Sequence, residues 1–240
     1  TMVIDAGLPL ELFRQYIELG SELIDYVKFG WGTSVITSDT VRKKAKVARA
    51  NGVMTCFGGT FFELAYIQGK LDKLIGLTQE YGIDMLEISD GSIDISRDNK
   101  LGFIERFSGE LRVLSEFGSK DAETVMAPNL WVAGMSEELE AGAWKVVAEG
   151  RESGTAGLYR QNKEIRTGLI DEVLSVIDNE RIIWEAPLKA QQVWFIQNFG
   201  ANVNLGNIAA TDIIALETLR LGLRGDTLTQ FHGNHSDSIR

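Results

Sequence analysis

The stretch "VMTCFGGTFFELAYIQGKLDKLIGLTQEYGIDMLEIS" (53–89) decides the fold. Its ends, "VMTCF" (53–57) and "MLEIS" (85–89), are short runs, mostly apolar. Between them "FFELAYIQGKLDKLIGLTQEYG" carries a helical amphipathic pattern and stops on Gly82, the residue type that ends helices in a left-handed conformation. Strands that are apolar throughout, rather than alternating, are buried on both faces. A helix between two of them points to a parallel pair with the helix on the outside.

The same unit recurs in both directions along the chain. Further strands are expected at "MVID" (2–5), "YVKF" (26–29), "RVLSEF" (112–117), "KVVAE" (145–149), "IIWEA" (182–186) and "NVNL" (202–205). Helical patterns lie between them, among them "SDTVRKKAKVARANG", "SRDNKLGFIERFSG", "SEELEAGA" and "KAQQVWFIQNFG". Ser38, Ser96 and Ser136 are candidate helix caps, and Gly52 and Gly200 candidate helix stops. About eight such units without a composition break, in 240 residues, fit a single-domain (β/α)8 TIM barrel over 1–227. A doubly wound sheet would carry a phosphate-binding glycine fingerprint after the first strand, and "VIDAGLPLEL" has none. The tail "GDTLTQFHGNHSDSIR" loses periodicity, so 228–240 is expected as a mobile extension. Its His232 and His235 lie in a polar Gly/Asn/Ser context that does not favour metal binding.

A net charge of -10 argues against nucleic acid, which needs a basic surface, but not against a small anion held by a few cations. The lone Cys56 cannot form an internal disulfide, no stretch reads as a signal peptide, and no apolar run is long enough to span a bilayer. A cytoplasmic protein with no membrane partner is expected.

In such a barrel the chemistry belongs at the C-terminal ends of the strands. Those ends read Asp5, Lys28, Gly58 and Gly59, Glu87, Glu116, Glu149, Glu185, then Asn204 with Asn207. Four successive strands ending in an acid would converge near one axis, where like charges repel, so a metal, a lysine or an arginine must compensate. The alternative is that each glutamate pairs separately with a neighbouring cation or amide. Oxygen ligands without histidine or cysteine favour Mg²⁺, and Glu87, Glu149, Glu185 and Asp90 form the candidate set, with the choice among them open. Lys28, in the apolar context "YVKFGWG", must be paired or functional. Lys120, just beyond Glu116 in "SEFGSKDAE", is either a solvated loop residue or a general acid toward a carbanion. Lys28, Glu116 and Lys120 are thus the catalytic candidates.

Glycine-rich turns follow the strands: "FGWGTS", "FGGTFFE", "EISDGS", "EGRESGTAG" and "NLGNI". Glycine lets backbone N–H groups approach an anion closely. Gly58, Gly59, Arg151, Ser153, Gly154, Asn204 and Asn207 form the candidate anion-binding set. No histidine is placed to activate Ser34, Ser89 or Ser153, and Cys56 lies within a strand as core. The five tryptophans are expected in core or interface positions, which hints at a homo-oligomer.

"VKFGWGTS", "GGTFFE", "EISDGS", "SEFGSKDAE", "EGRESGTAG", "WEAP", "VNLGNI" and "LETLRLGLRGDT" together resemble the phosphosulfolactate synthase family, from the first strand to about Thr227. The resemblance implies a (β/α)8 barrel, Mg²⁺ dependence, and addition of sulfite to C3 of phosphoenolpyruvate to give (2R)-3-phosphosulfolactate. It also implies that Lys120 donates the proton, that Glu87, Glu116 and Glu149 lie near metal and substrate, and that Arg151, Ser153 and Gly154 hold phosphate or sulfite. The chain departs from the family pattern at Ala6, where archaeal members are expected to carry lysine. "GSK" resembles the bacterial subgroup, and "WEAP" replaces "FEAP". A paralogue using another nucleophile or unsaturated acid, and a non-catalytic stress-related homologue, are the competing readings.

Overall fold

The computed structural model describes residues 1–119, 126–151 and 153–233. Nine parallel strands run β1 (Met2–Asp5), β2 (Tyr26–Phe29), β3 (Met54–Phe57), β4 (Met85–Ile88), β5 (Arg112–Phe117), β6 (Lys145–Ala148), β7 (Ile182–Glu185), β8 (Leu205–Gly206) and β9 (Ile208–Ala209). Their order is β8-β7-β6-β5-β4-β3-β2-β1-β9, so each strand lies beside its sequence neighbour. β8 and β9 are halves of one eighth strand, interrupted at Asn207. The first half pairs with β7 and the second with β1, which closes a (β/α)8 barrel.

The eighth strand corrects the sequence reading: it begins at Leu205 and does not cover 202–205. Asn204 precedes it, and its side-chain amide donates to the carbonyls of Glu180 and Ile182 at the start of β7. The other strands start or stop within one residue of the expected positions.

The helices of the outer layer are α1 (Leu10–Gly20), α2 (Thr33–Ile36), α3 (Ser38–Ala50), α4 (Gly59–Ile67), α5 (Leu71–Tyr81), α6 (Arg97–Ser108), α7 (Pro128–Glu140), α8 (Thr167–Leu174), α9 (Lys189–Phe199), α10 (Ile213–Arg220) and α11 (Leu228–His232). The long pattern after β3 is two helices, broken where Gly69 takes φ +63°. α7 begins at Pro128, whose missing N–H costs nothing in a first helical turn, so Ser136 lies inside the helix and caps nothing. Ser96 does cap α6, its Oγ accepting from the Asn99 N–H, whereas Ser38 opens α3 without a side-chain bond. α11 docks on the body: Gln230 donates to the Gln197 carbonyl, and a His232 ring nitrogen lies 3.1 Å from the Leu221 carbonyl. His235 lies outside the described residues.

The barrel interior is layered by the two-residue period of the strands. Met2, Tyr26, Cys56, Met85, Leu114, Val147 and Ile183 form one apolar cluster that fills the lower layer. Two residues further along the same chain segments come Ile4, Lys28, Gly58, Glu87, Glu116, Glu149 and Glu185, all lining one cavity above it. The outward-facing side chains, such as Val27, Phe57, Leu86 and Val113, pack against the helices. Asp5 belongs to this outer set. It pairs with buried Lys44 of α3 and accepts from the N–H groups of Gly7 and Leu8, which anchors the loop after β1.

Candidate active site

The cavity above the apolar layer encloses about 440 Å³ at the C-terminal ends of the strands. At its floor the Lys28 ammonium, 4% exposed, meets three carboxylates: Glu87 at 3.0 Å, Glu185 at 3.2 Å and Glu116 at 4.0 Å. Backbone N–H groups complete the set. Gly59 donates to Glu87 Oε1 at 2.8 Å, Gly150 to Glu185 Oε2 at 2.9 Å, and Arg151 to Glu149 Oε1 at 2.6 Å. The glycines belong to the turns after β3 and β6, which explains their placement. A Cβ on Gly59 would come 2.4 Å from Ser89 Cβ, and one on Gly150 would come 2.6 Å from the Tyr159 ring.

Burial raises the Glu87 carboxyl to about 7; Lys28 opposes this, and Glu116 and Glu185 add to it. Burial by itself would lower Lys28, but Glu87, Glu185 and Glu116 outweigh it and hold the ammonium well above the ordinary lysine range. Burial, with a contribution from Glu87, also pushes the Cys56 thiol well up, so the thiol is unsuited to act as a nucleophile.

Of the anion-binding candidates, Gly58, Gly59, Arg151 and Asn207 line the cavity. Asn204 is a correction: bound to the β7 backbone at the N-terminal end of the barrel, it belongs to a separate groove with Thr1 and Arg220. Ser153 is exposed and bonds Thr155, and the Gly154 carbonyl accepts from Gln191, so neither faces the cavity. Asp90 departs likewise, since its carboxylate is taken by Lys100 of α6. Lys120 lies outside the described residues. Ala6 follows β1 directly and is exposed, and its side chain is not among those lining the cavity.

Among the described residues no three His, Cys, Asp or Glu side chains are grouped to hold a metal ion. Glu87 and Glu185, expected above as ligands, face the Lys28 ammonium together with Glu116. The side chains therefore do not build a closed carboxylate cage. Glu149, buried on the cavity wall, suits the open manner in which Mg²⁺ is often held, by one or two carboxylates together with substrate oxygens.

Several site residues escaped the sequence reading. Trp31 lines the mouth of the cavity, whereas Trp131 and Trp184 are core. Trp31, Arg151 and Asn207 all adopt positive φ, at 52°, 55° and 55°, and they are three of the four such non-glycine residues described. That conformation is costly for side-chain-bearing residues and gathers where function demands it. Glu63 of α4 was also missed. It is 3% exposed and accepts from Ser89 Oγ and from the Ser92 N–H. An acid embedded in "GTFFELAYI" was the available signal.

Comparison with known proteins decides the family. Residues 1–226 match the family model of (2R)-phospho-3-sulfolactate synthase (ComA). The chain belongs to the (2R)-phospho-3-sulfolactate synthase family. It is 44% identical over 230 residues to the phosphosulfolactate synthase of Bacillus subtilis (strain 168), covering 95% of this chain and 91% of that protein. To the phosphosulfolactate synthase of Methanocaldococcus jannaschii it is 41% identical over 232 residues, covering 95% and 92%. Among solved structures, this synthase-family chain resembles 3-hexulose-6-phosphate synthase with a TM-score of 0.56 at 15% identity, covering 91% of this chain and 98% of that one. It also resembles a 2,3-dimethylmalate lyase with a TM-score of 0.52 at 12% identity, covering 90% and 72%. At such identities these two likenesses concern the barrel alone.

Proposed function

We propose that this chain is a lyase that adds sulfite to C3 of phosphoenolpyruvate, giving (2R)-phospho-3-sulfolactate. The observation that carries the reading is the match to the synthase family along essentially the whole chain. The sulfur lone pair forms the C3–S bond, the C2–C3 π pair moves to C2 and its carboxylate as an enediolate, and a proton then adds at C2. The substrates are anions, and the protein carries a net charge of -10, so local cations must receive them. Arg151, which lines the cavity, supports that role, and Lys28 at the floor offsets part of the charge of the carboxylates gathered there.

Trp31 lines the same cavity, and the strand-end groups at its floor are buried, which strengthens the electrostatic contacts among them. Asn207 lines the same cavity; its Oδ1 is buried and makes no hydrogen bond among the described residues. The proton donor proposed for C2 is Lys120, on the resemblance of "SEFGSKDAE" to the family motif. Mg²⁺ is the proposed cofactor, held by Glu149 with substrate oxygens. When bound, it would supply positive charge to the substrate carboxylate.

Incubation with phosphoenolpyruvate, sulfite and Mg²⁺ should yield a sulfonated product detectable by mass spectrometry. EDTA should abolish its formation, and Mg²⁺ should restore it. Absence of product across pH and metal conditions would overturn the reaction, whereas EDTA-resistant turnover would overturn the metal alone. No helix among the described residues is long and apolar enough to cross a membrane. A cytoplasmic homo-oligomer is proposed. The exposed Leu221, Leu223 and Leu228 beside α10 and α11 support self-association, which light scattering would test.

A further inference from the structure

Glu63 is a buried acid on a helix, away from the ring of strand-end glutamates, and its contacts lead back to that ring. Ser89 Oγ lies 2.8 Å from Glu63 Oε1 and 2.8 Å from Glu116 Oε1. A serine hydroxyl has one hydrogen, so it can satisfy only one of these two carboxylates at a time. Glu116 in turn faces Lys28 and lines the cavity. Glu63 also accepts from the N–H of Ser92, another cavity-lining residue, at 3.1 Å. A Cβ at Gly59, the first residue of α4, would come 2.4 Å from Ser89 Cβ, so only glycine fits beside this serine.

We propose that Glu63 is a positioning residue for the addition reaction. It competes with Glu116 for the Ser89 hydroxyl, thereby setting how much negative charge Glu116 directs at Lys28, and it fixes the cavity wall through Ser92. The proposal rests on the reaction proposed above, and a double-mutant cycle tests it.

Glu63→Gln keeps the shape and an acceptor for Ser92 but no longer competes as an anion. Ser89→Ala removes only the hydroxyl. Each variant should lower kcat roughly tenfold with KM within about twofold, and the double variant should be no slower than Ser89→Ala alone. Multiplying fold-changes, an unchanged kcat for Glu63→Gln, or losses tracking only a fall in Tm would overturn the proposal. Wild-type turnover is measured first, and its absence counts against the reaction itself. The calorimetric Kd of phosphoenolpyruvate should likewise stay within about twofold of wild type in each variant, and a larger loss would overturn the positioning role.

Discussion

At the Lys28 ammonium three carboxylates meet within 4.0 Å, all buried, so this cation carries much of the charge balance among the described residues. Lys28→Met would remove the cation that Glu87 and Glu185 face, at a cost of about 3–5 kcal/mol. Denaturant titration should show that loss together with loss of turnover. Glu87 gives a pH-dependent counterpart. Its folded-state carboxyl titrates at about 7 against an ordinary 4.5, so in that interval the folded chain holds a proton the unfolded chain has released. Its contribution to stability is therefore complete below about pH 4.5 and is lost as pH rises to about 7. Lys28, held above its ordinary range, stays charged throughout and adds no slope. The stability of wild type minus that of Glu87→Gln should fall between pH 4.5 and 7 and flatten above. A difference that grew with pH would mean that Lys28 holds Glu87 ionised.

At the scale of elements, Gly59 opens α4 where its N–H reaches Glu87 and its Cα abuts Ser89. Gly59→Ala should cost about 1–3 kcal/mol through overpacking. By moving Glu87 and Ser89 it should lower kcat/KM by about 100-fold, measured beside Tm. The same elements explain what could be read from sequence. Strands β2 and β5 matched because Val27 and Phe29, and Val113, Leu114 and Phe117, mark them as buried segments even though Lys28 and Glu116 interrupt the apolar run. The glutamates of β4, β5, β6 and β7 were found because a strand end is a definable position. Glu63 and Trp31 were missed because a helix residue and a loop residue announce no direction. Asn204 misled because an asparagine near a strand end reads alike on either side of the barrel. Whether the glutamates meet a metal or an ammonium also could not be read, since the 59 residues separating Lys28 from Glu87 and the 157 separating it from Glu185 leave their distances to tertiary structure.

For the whole molecule, the eight repeated units settled the architecture, but closure came from three positions no periodicity describes: Gly206, Asn207 and Ile208. β1 waits for a partner, β9, that lies at the far end of the chain. During synthesis the Met2–Asp5 edge therefore stays open on one side until Ile208 and Ala209 arrive. Until then β7 also lacks Leu205 and Gly206, which leaves two unpaired edges able to recruit other chains. A chain ending at Gly200 should accumulate as insoluble material, and one carried through Gly233 should be recovered in the supernatant after centrifugation. Everything from Met2 to Ala209 must thus leave the ribosome before the ring can shut, so this barrel's period of greatest exposure to aggregation is its own birth.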